Sequence, residues 1–572
     1  MIKFLKFLSL FSLSYSLCFS QVTDKESFQS PLQIPLFLSG NFGELRATHF
    51  HAGLDFKTEG VTGKPVMAVK EGYVSRIKIQ SGGYGHSLYI SHPDGHTTVY
   101  AHLERYAPEI QAYVVQQQYL KRTYETELFP ARDMFPVRKG QVVAWSGNTG
   151  RSGGPHLHFE IRRSYGQIPL NGLLFGFPVT DNISPEFRGL YIYTYQQKEP
   201  NGIQSDRKYH EIIRLGNASY GVAEPIELNA AYFGIGVEVY DFLNGSSNRC
   251  GVYSMELKVD GELMYGFKID EIPFSDTRYV NAHMDYDLKI SGGKSVHRLF
   301  ALPNNNLSIY TTDTGNGIYA LKDFNSHEAE IIARDAYGNK SSLSFSFVRK
   351  QNPVFSIIIP DLGYIVEWEK GRKLEKDSFS VEIPPKALYQ DINMHFDVIR
   401  GNGDIKTDTF IVHSGTEPLH RNVNFSLVSA RIVPGQADKL LFACIDEEGD
   451  PVAEGGEYID GALRLSTRQF GVYMIVADTV PPEIKAVKFV NAARYTSDQE
   501  IVFVIADELS GIKSYAGYID NEWALFCFDA KSGSLSYRID GSRLSKGKTH
   551  SLRIEVSDNK ENPAVFEGSF VY

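Results

Sequence analysis

Short runs in which apolar and polar positions alternate, bounded by Gly, Asn and Asp, dominate this chain. They predict strands at Val66 to Val69, Tyr73 to Ile79, Ser87 to Ser91 and Val142 to Ser146. One segment departs from the pattern. After Pro108, a residue suited to a first helical turn, Ile110, Val114, Val115 and Leu120 fall near the helical period of about 3.6 residues, which predicts a helix from Pro108 to about Thr123. The expected class is mainly β: an N-terminal antiparallel β-sheet domain with an inserted helix, followed by about three β-sandwich domains.

Two downstream segments echo each other in the same order. Asp181-Asn-Ile-Ser-Pro185 is similar to Asp478-Thr-Val-Pro-Pro482, Asp241-Phe-Leu-Asn-Gly245 to Asp507-Glu-Leu-Ser-Gly511, and Asp335-Ala-Tyr-Gly-Asn339 to Asp558-Asn-Lys-Glu-Asn562. A repeated unit follows, with insertions in the longer first copy before Tyr240 and after Gly245. Both copies resemble immunoglobulin-like domains of bacterial surface proteins. The expected order is a signal peptide at 1–20, the first folded domain at 21–180, an immunoglobulin-like sandwich at 181–350, a further β-rich unit at 351–477, and a second immunoglobulin-like sandwich at 478–572. A length of 572 residues suits such a division at about 150 residues per domain.

The first twenty residues carry Lys3 and Lys6, an apolar run from Phe7 to Phe19, and Ser20 before Gln21. That run is too short to span a bilayer and has the form of a secretory signal, so export to the periplasm or cell envelope is expected, with Gln21 as the mature start. The residues before Cys18 do not suit lipoprotein processing. Loss of Lys3 and Lys6 moves the formal charge from −10 to −12, which argues against nucleic acid as a partner. Cys250, Cys444 and Cys527 are too scattered to form a disulfide framework.

Eight of the sixteen histidines lie between His49 and His158, which is where chemistry is expected. In Gly154-Pro-His-Leu-His-Phe-Glu160 the apolar residues alternate as in a half-buried strand. His156 and His158 then share a face, with Cα atoms about 7 Å apart. The bland alternative is two polar residues on the wet side of a strand. His51-Ala-Gly-Leu-Asp55 offers an imidazole and a carboxylate that a straight strand would hold about 13 Å apart; Gly53 permits the bend that joins them. Together with His158 they make three ligands, leaving one tetrahedral position for water. His102, at the end of Thr97-Thr-Val-Tyr-Ala-His102, and His156 are then spare imidazoles.

These motifs, with Gly63-Lys-Pro-Val66, Gly83-Tyr-Gly85, Lys139-Gly-Gln141 and Gly147-Asn-Thr-Gly150, resemble the lysostaphin-type, or LytM-like, zinc endopeptidases of peptidoglycan from about Gly43 to Arg163. The resemblance implies one Zn2+ per chain on His51, Asp55 and His158, with His102 and His156 as the catalytic pair. It also implies peptidoglycan cross-links or stem peptides as substrate. The competing reading is a catalytically silent wall-binding regulator of other murein hydrolases. The chain is not expected to be an integral membrane protein, and an envelope protein partner engaged through the C-terminal β-domains is a further expectation. Between Leu103 and Val137 a usually short connection has grown to include the helix and the aromatic segment Phe129 to Phe135. This insertion could wall the substrate groove or merely cover a sheet edge.

Overall fold

A computed structural model describes residues 28–195, 204–350, 363–429, 431–432, 434–497 and 499–572. The expected signal segment and Cys18 lie outside the described residues. The protein is mainly β, and no helix among the described residues is long and apolar enough to cross a membrane.

The N-terminal unit contains β1 (Leu38–Gly40), β2 (Leu54–Lys57), β3 (Pro65–Met67), β4 (Gly72–Ile79), β5 (His86–Ser91), β6 (His96–Ala101), β7 (Leu103–Tyr106), α1 (Pro108–Lys121), β8 (Thr126–Leu128), β9 (Pro136–Val137), β10 (Val142–Ser146) and β11 (His156–Arg163). The main sheet runs β1-β2-β11-β6-β5-β4-β8, with β9 also on β4, and a smaller sheet runs β3-β10-β7. Along β11, Leu157, Phe159 and Ile161 are fully buried between the layers. The intervening His156 and His158 are left on the opposite face, as the two-residue strand period requires.

Helix α1 starts on Pro108 and ends where Arg122 turns left-handed (φ 50°), its N–H bonding to Gln118 and Tyr119 carbonyls. Its inward residues are Ile110, Val114 and Gln118, while Leu120 is 71% exposed. Gln118 takes the third inward place because its side-chain amide caps the Tyr124 carbonyl at 2.6 Å. The return segment docks through Leu128 and Phe135, and Phe129 and Met134 stay exposed. Both β8 and β9 pair with β4, so the insertion covers that edge of the main sheet.

One buried cluster runs from Phe28 through the N-terminal unit and on to Phe347. The strands of 181–350 thus pack directly against it: Asn171 bonds to the Ile269 carbonyl, and Phe50 N–H to Thr277 Oγ1. A second core spans Val366 to Ile475 between two five-stranded sheets, and a third spans Phe489 to Phe570 between two four-stranded sheets. The last unit folds back toward the first. Its Trp523 meets the Tyr119 ring edge-on at 5.3 Å, Arg543 stacks 3.5 Å over the same ring, and Lys531 reaches the carbonyls of Asn148 and Ser152. Cys250, Cys444 and Cys527 are free thiols.

Candidate metal centre

Antiparallel pairing of β2 with β11 sets Asp55 directly opposite His158. Directly opposed residues point to the same face with Cβ atoms about 5 Å apart, and His158 Nδ1 lies 2.8 Å from Asp55 Oδ1. His51 arrives from the irregular stretch before β2, and its Nε2 is 3.1 Å from both Asp55 Oδ1 and His158 Nδ1. Gly53 permits this approach because a Cβ there would fall 2.5 Å from the Phe159 carbonyl and 2.9 Å from the His158 ring. Close packing against β11, rather than freedom of φ, is what demands glycine.

Each imidazole is held in a defined tautomer by a partner that can only accept. His51 Nδ1 donates to the Asn41 carbonyl at 2.7 Å, which leaves Nε2 as the free donor atom. His158 Nε2 donates to Glu160 Oε1 at 2.9 Å, which leaves Nδ1 to face Asp55 and to bind a metal in place of its proton. Glu160 is itself fixed by Arg162 at 2.6 Å and by the Tyr84 hydroxyl, and the Tyr84 ring stacks on His158 at 5.1 Å. Arg46 joins Glu44 to Asp55 Oδ2.

Burial opposes the charge of Asp55, yet His51 and hydrogen bonds from His156 and His158 hold its carboxyl well below the usual range. Burial likewise opposes charge on Glu160, but Arg162 and His158 bring it down to about 2. For His158, burial is outweighed by the hydrogen bonds to Asp55 and Glu160, which raise it to about 9.

This donor set fits zinc. It offers two nitrogens and one carboxylate oxygen, each His carries an oriented outer partner, and the three atoms converge from different elements. Tetrahedral bonds of about 2.0–2.1 Å place ligand atoms about 3.3 Å apart, close to the 2.8 to 3.1 Å found here.

The other two expected residues are brought to the same place. His156 Nδ1 donates to the Gly154 carbonyl at 2.8 Å and meets Ser152 Oγ at 3.1 Å, while its Nε2 faces Asp55 Oδ1 at 3.5 Å. His102 lies just beyond β6 in a left-handed conformation (φ 57°), with Nδ1 donating to the Thr149 carbonyl at 2.8 Å. Its ring centre is 4.8 Å from that of His156. Burial, with the charges of His158 and His156 adding, lowers the His102 pKa to about 3, so its ring stays neutral. Tyr100 does not join these residues. It is buried, and its hydroxyl accepts from Val69 N–H at 3.0 Å, because the left-handed turn at His102 breaks the strand alternation between the two.

The sequence places Tyr84, Thr149 and Glu160 inside matching motifs without giving them roles, and offers no reading of Asn41, Arg46 or Ser152. An acceptor two residues after His158 was the only local hint.

A His-Asp-His centre with two further imidazoles beside it, on one face of an antiparallel sheet, is a centre of the metallopeptidase type. Residues 49–130 match Peptidase family M23, so the N-terminal unit carries a domain of that lysostaphin-type family; residues 363–478 match a Zu5-like domain. Over 137 residues the chain is 31% identical to the DD-carboxypeptidase/endopeptidase Mpg of Neisseria meningitidis serogroup B, which is 24% of this chain and 25% of Mpg. Over 111 residues it is 30% identical to lysostaphin of Staphylococcus staphylolyticus, covering 19% of this chain and 18% of that one. The solved catalytic domain of lysostaphin from Staphylococcus simulans is 27% identical, with 21% of this chain and 76% of that chain covered and a TM-score of 0.16. The matched region thus spans about a quarter or less of the length of these two full-length relatives.

Proposed function

We propose that the chain is an exported zinc endopeptidase that hydrolyses peptide bonds in peptidoglycan cross-links or stem peptides. One zinc per chain is held by His51, Asp55 and His158. The observation that supports this most is the pair of spare imidazoles, His102 and His156, meeting ring to ring beside the three ligands. A bound zinc supplies polarisation of a substrate carbonyl and acidification of water. His156, with Nδ1 tied to Gly154 and Nε2 turned to the centre, is placed to take up a proton from the attacking water and return it to the departing amine. His102, neutral and anchored on Thr149, packs against the His156 ring and positions it. Once His156 has taken up that proton, its Nε2–H also stabilises negative charge developing on the carbonyl oxygen.

The substrate comes from the likeness to lysostaphin and to Mpg, whose name joins carboxypeptidase and endopeptidase activities. A silent wall-binding regulator is disfavoured because all five residues are in place. The deciding experiment is digestion of purified peptidoglycan by the chain from Gln21 onward, with and without a zinc chelator, followed by mass analysis. Linked peptide fragments that vanish with chelator are expected. Release of single terminal residues would make it a carboxypeptidase, and no release would favour the regulator.

A further inference from the structure

The two sequence echoes converge in space. Asp181, Asp241 and Asp335 bring their carboxylates within 4.8 Å of one another, and so do Asp478, Asp507 and Asp558. The scaffolds correspond closely. Asp335 Oδ1 accepts from Tyr337 N–H and Asn339 N–H at 2.9 Å, Oδ2 accepts from the Asn339 amide at 2.6 Å, and that amide reaches the Asp181 carbonyl at 3.3 Å. In the second copy Asp558, Lys560, Asn562 and Asp478 repeat this network at 2.8, 2.8, 2.6 and 3.2 Å.

The copies differ in what is left unsatisfied. In the second, Asp507 Oδ2 accepts from Leu509 and Gly511 N–H, Asp478 Oδ2 accepts from Ser510 N–H, and Lys439 donates to Asn562. In the first, Asp241 is only 2% exposed and its Oδ1 has no donor, and the buried Asp181 Oδ2 has none either. Among the described residues no basic side chain acts on Asp181 or Asp241. An isolated buried carboxylate without a donor is strongly disfavoured, and here two orphan oxygens sit in one cluster of three acids.

We propose that Asp181, Asp241 and Asp335 bind one divalent cation, calcium. A hard, all-oxygen donor set from irregular backbone suits calcium, whose bonds of about 2.4 Å can bridge oxygens up to about 4.8 Å apart, whereas magnesium demands about 2.1 Å and near-ideal octahedral geometry. Burial and mutual repulsion agree with this. Asp241 is pushed up to about 9 by burial and then by the charges of Asp181 and Asp335; Asp181 is pushed up to about 7 by burial, with Asp335 adding.

The ion would tie together three segments: the entry into the strand Glu186–Tyr195, the loop after Tyr232–Tyr240, and the turn between Ser326–Arg334 and Lys340–Arg349. The loop after Tyr240 also touches the zinc side of the molecule. Asp241 and Cys250 exchange backbone hydrogen bonds, and Gly251 exchanges two with the Asn41 side chain, whose backbone carbonyl holds His51. Calcium would brace the unit against which the zinc ligand loop leans.

The test is equilibrium dialysis of the zinc-loaded chain from Gln21 onward against calcium across about 0.1–1 mM, the range of extracellular calcium modules. Bound calcium is expected in the wild type, with one ion fewer per chain in Asp241→Asn and none lost in Asp507→Asn, all at unchanged zinc content. The wild-type measurement needs no variant to fold: absence of bound calcium overturns the proposal. So does an Asp241→Asn chain that is folded and binds as many ions as the wild type. Because zinc is quantified separately, failure here leaves the peptidase reading untouched.

Discussion

His158 Nδ1 lies 2.8 Å from Asp55 Oδ1 because the register of β11 against β2 makes the two residues cross-strand partners. A slip of one residue would send one of them into the core. The register is locked by the buried Leu157 and Phe159, opposite Phe56 and Leu54. The hydrophobic alternation that builds the sheet thus also aims the metal donors.

Zinc content follows from this arrangement. The chain from Gln21 onward should carry about one zinc, and His51→Ala or Asp55→Ala should empty the site while far-UV dichroism stays that of the wild type. Atomic absorption on the purified variants is the check; stoichiometric zinc in both would remove these residues from the ligand set.

A second prediction concerns how much chain the centre needs. Read alone, the sequence predicts that residues 21–180 fold and bind zinc unaided, since every motif lies there. The packing alters that expectation. Asn41, which orients His51, is held by Gly251, and Gly43 sits against Ile269. Residues 21–350 should bind zinc as the whole chain does, whereas 21–180 should bind at least about tenfold more weakly, the cost typical of losing an outer partner of a metal ligand. Equal affinity in a chelator competition would show the second unit to be dispensable.

The strands were legible to within one or two residues wherever alternation was strict. Val142 to Ser146 matches β10, and Tyr73 to Ile79 lacks only Gly72 of β4. The five candidate residues could be proposed because their motifs keep short spacings. What stayed hidden depends on contacts far apart in sequence: the Gly251 support of Asn41, and the docking of Trp523 on Tyr119. That His102 turns away from the buried side of Tyr100 was also hidden, because its positive φ carries no mark in the residue type. The aspartate echoes were visible, but their convergence was not, since each comes from a different strand end.

The acid cluster sets a pH dependence. Asp241 and Asp181 have folded-state values near 9 and 7, above the unfolded value near 4. Between those limits the folded state holds more protons than the unfolded one, so their contribution to stability is present at low pH and is lost as pH rises. In calcium-free buffer the melting temperature, measured by differential scanning fluorimetry, should fall more between pH 5 and 8 for the wild type than for Asp241→Asn. Parallel curves would mean that the trio is not strained.

The central claim is that the chain hydrolyses peptidoglycan peptides with His156, positioned by His102, moving the proton. The most direct measurement is the rate at which His156→Ala, at wild-type zinc content, cleaves purified cross-linked peptidoglycan. The account predicts a wild-type chain that cleaves and a variant slower by about 100-fold or more; cleavage by the variant at a near-normal rate would contradict it.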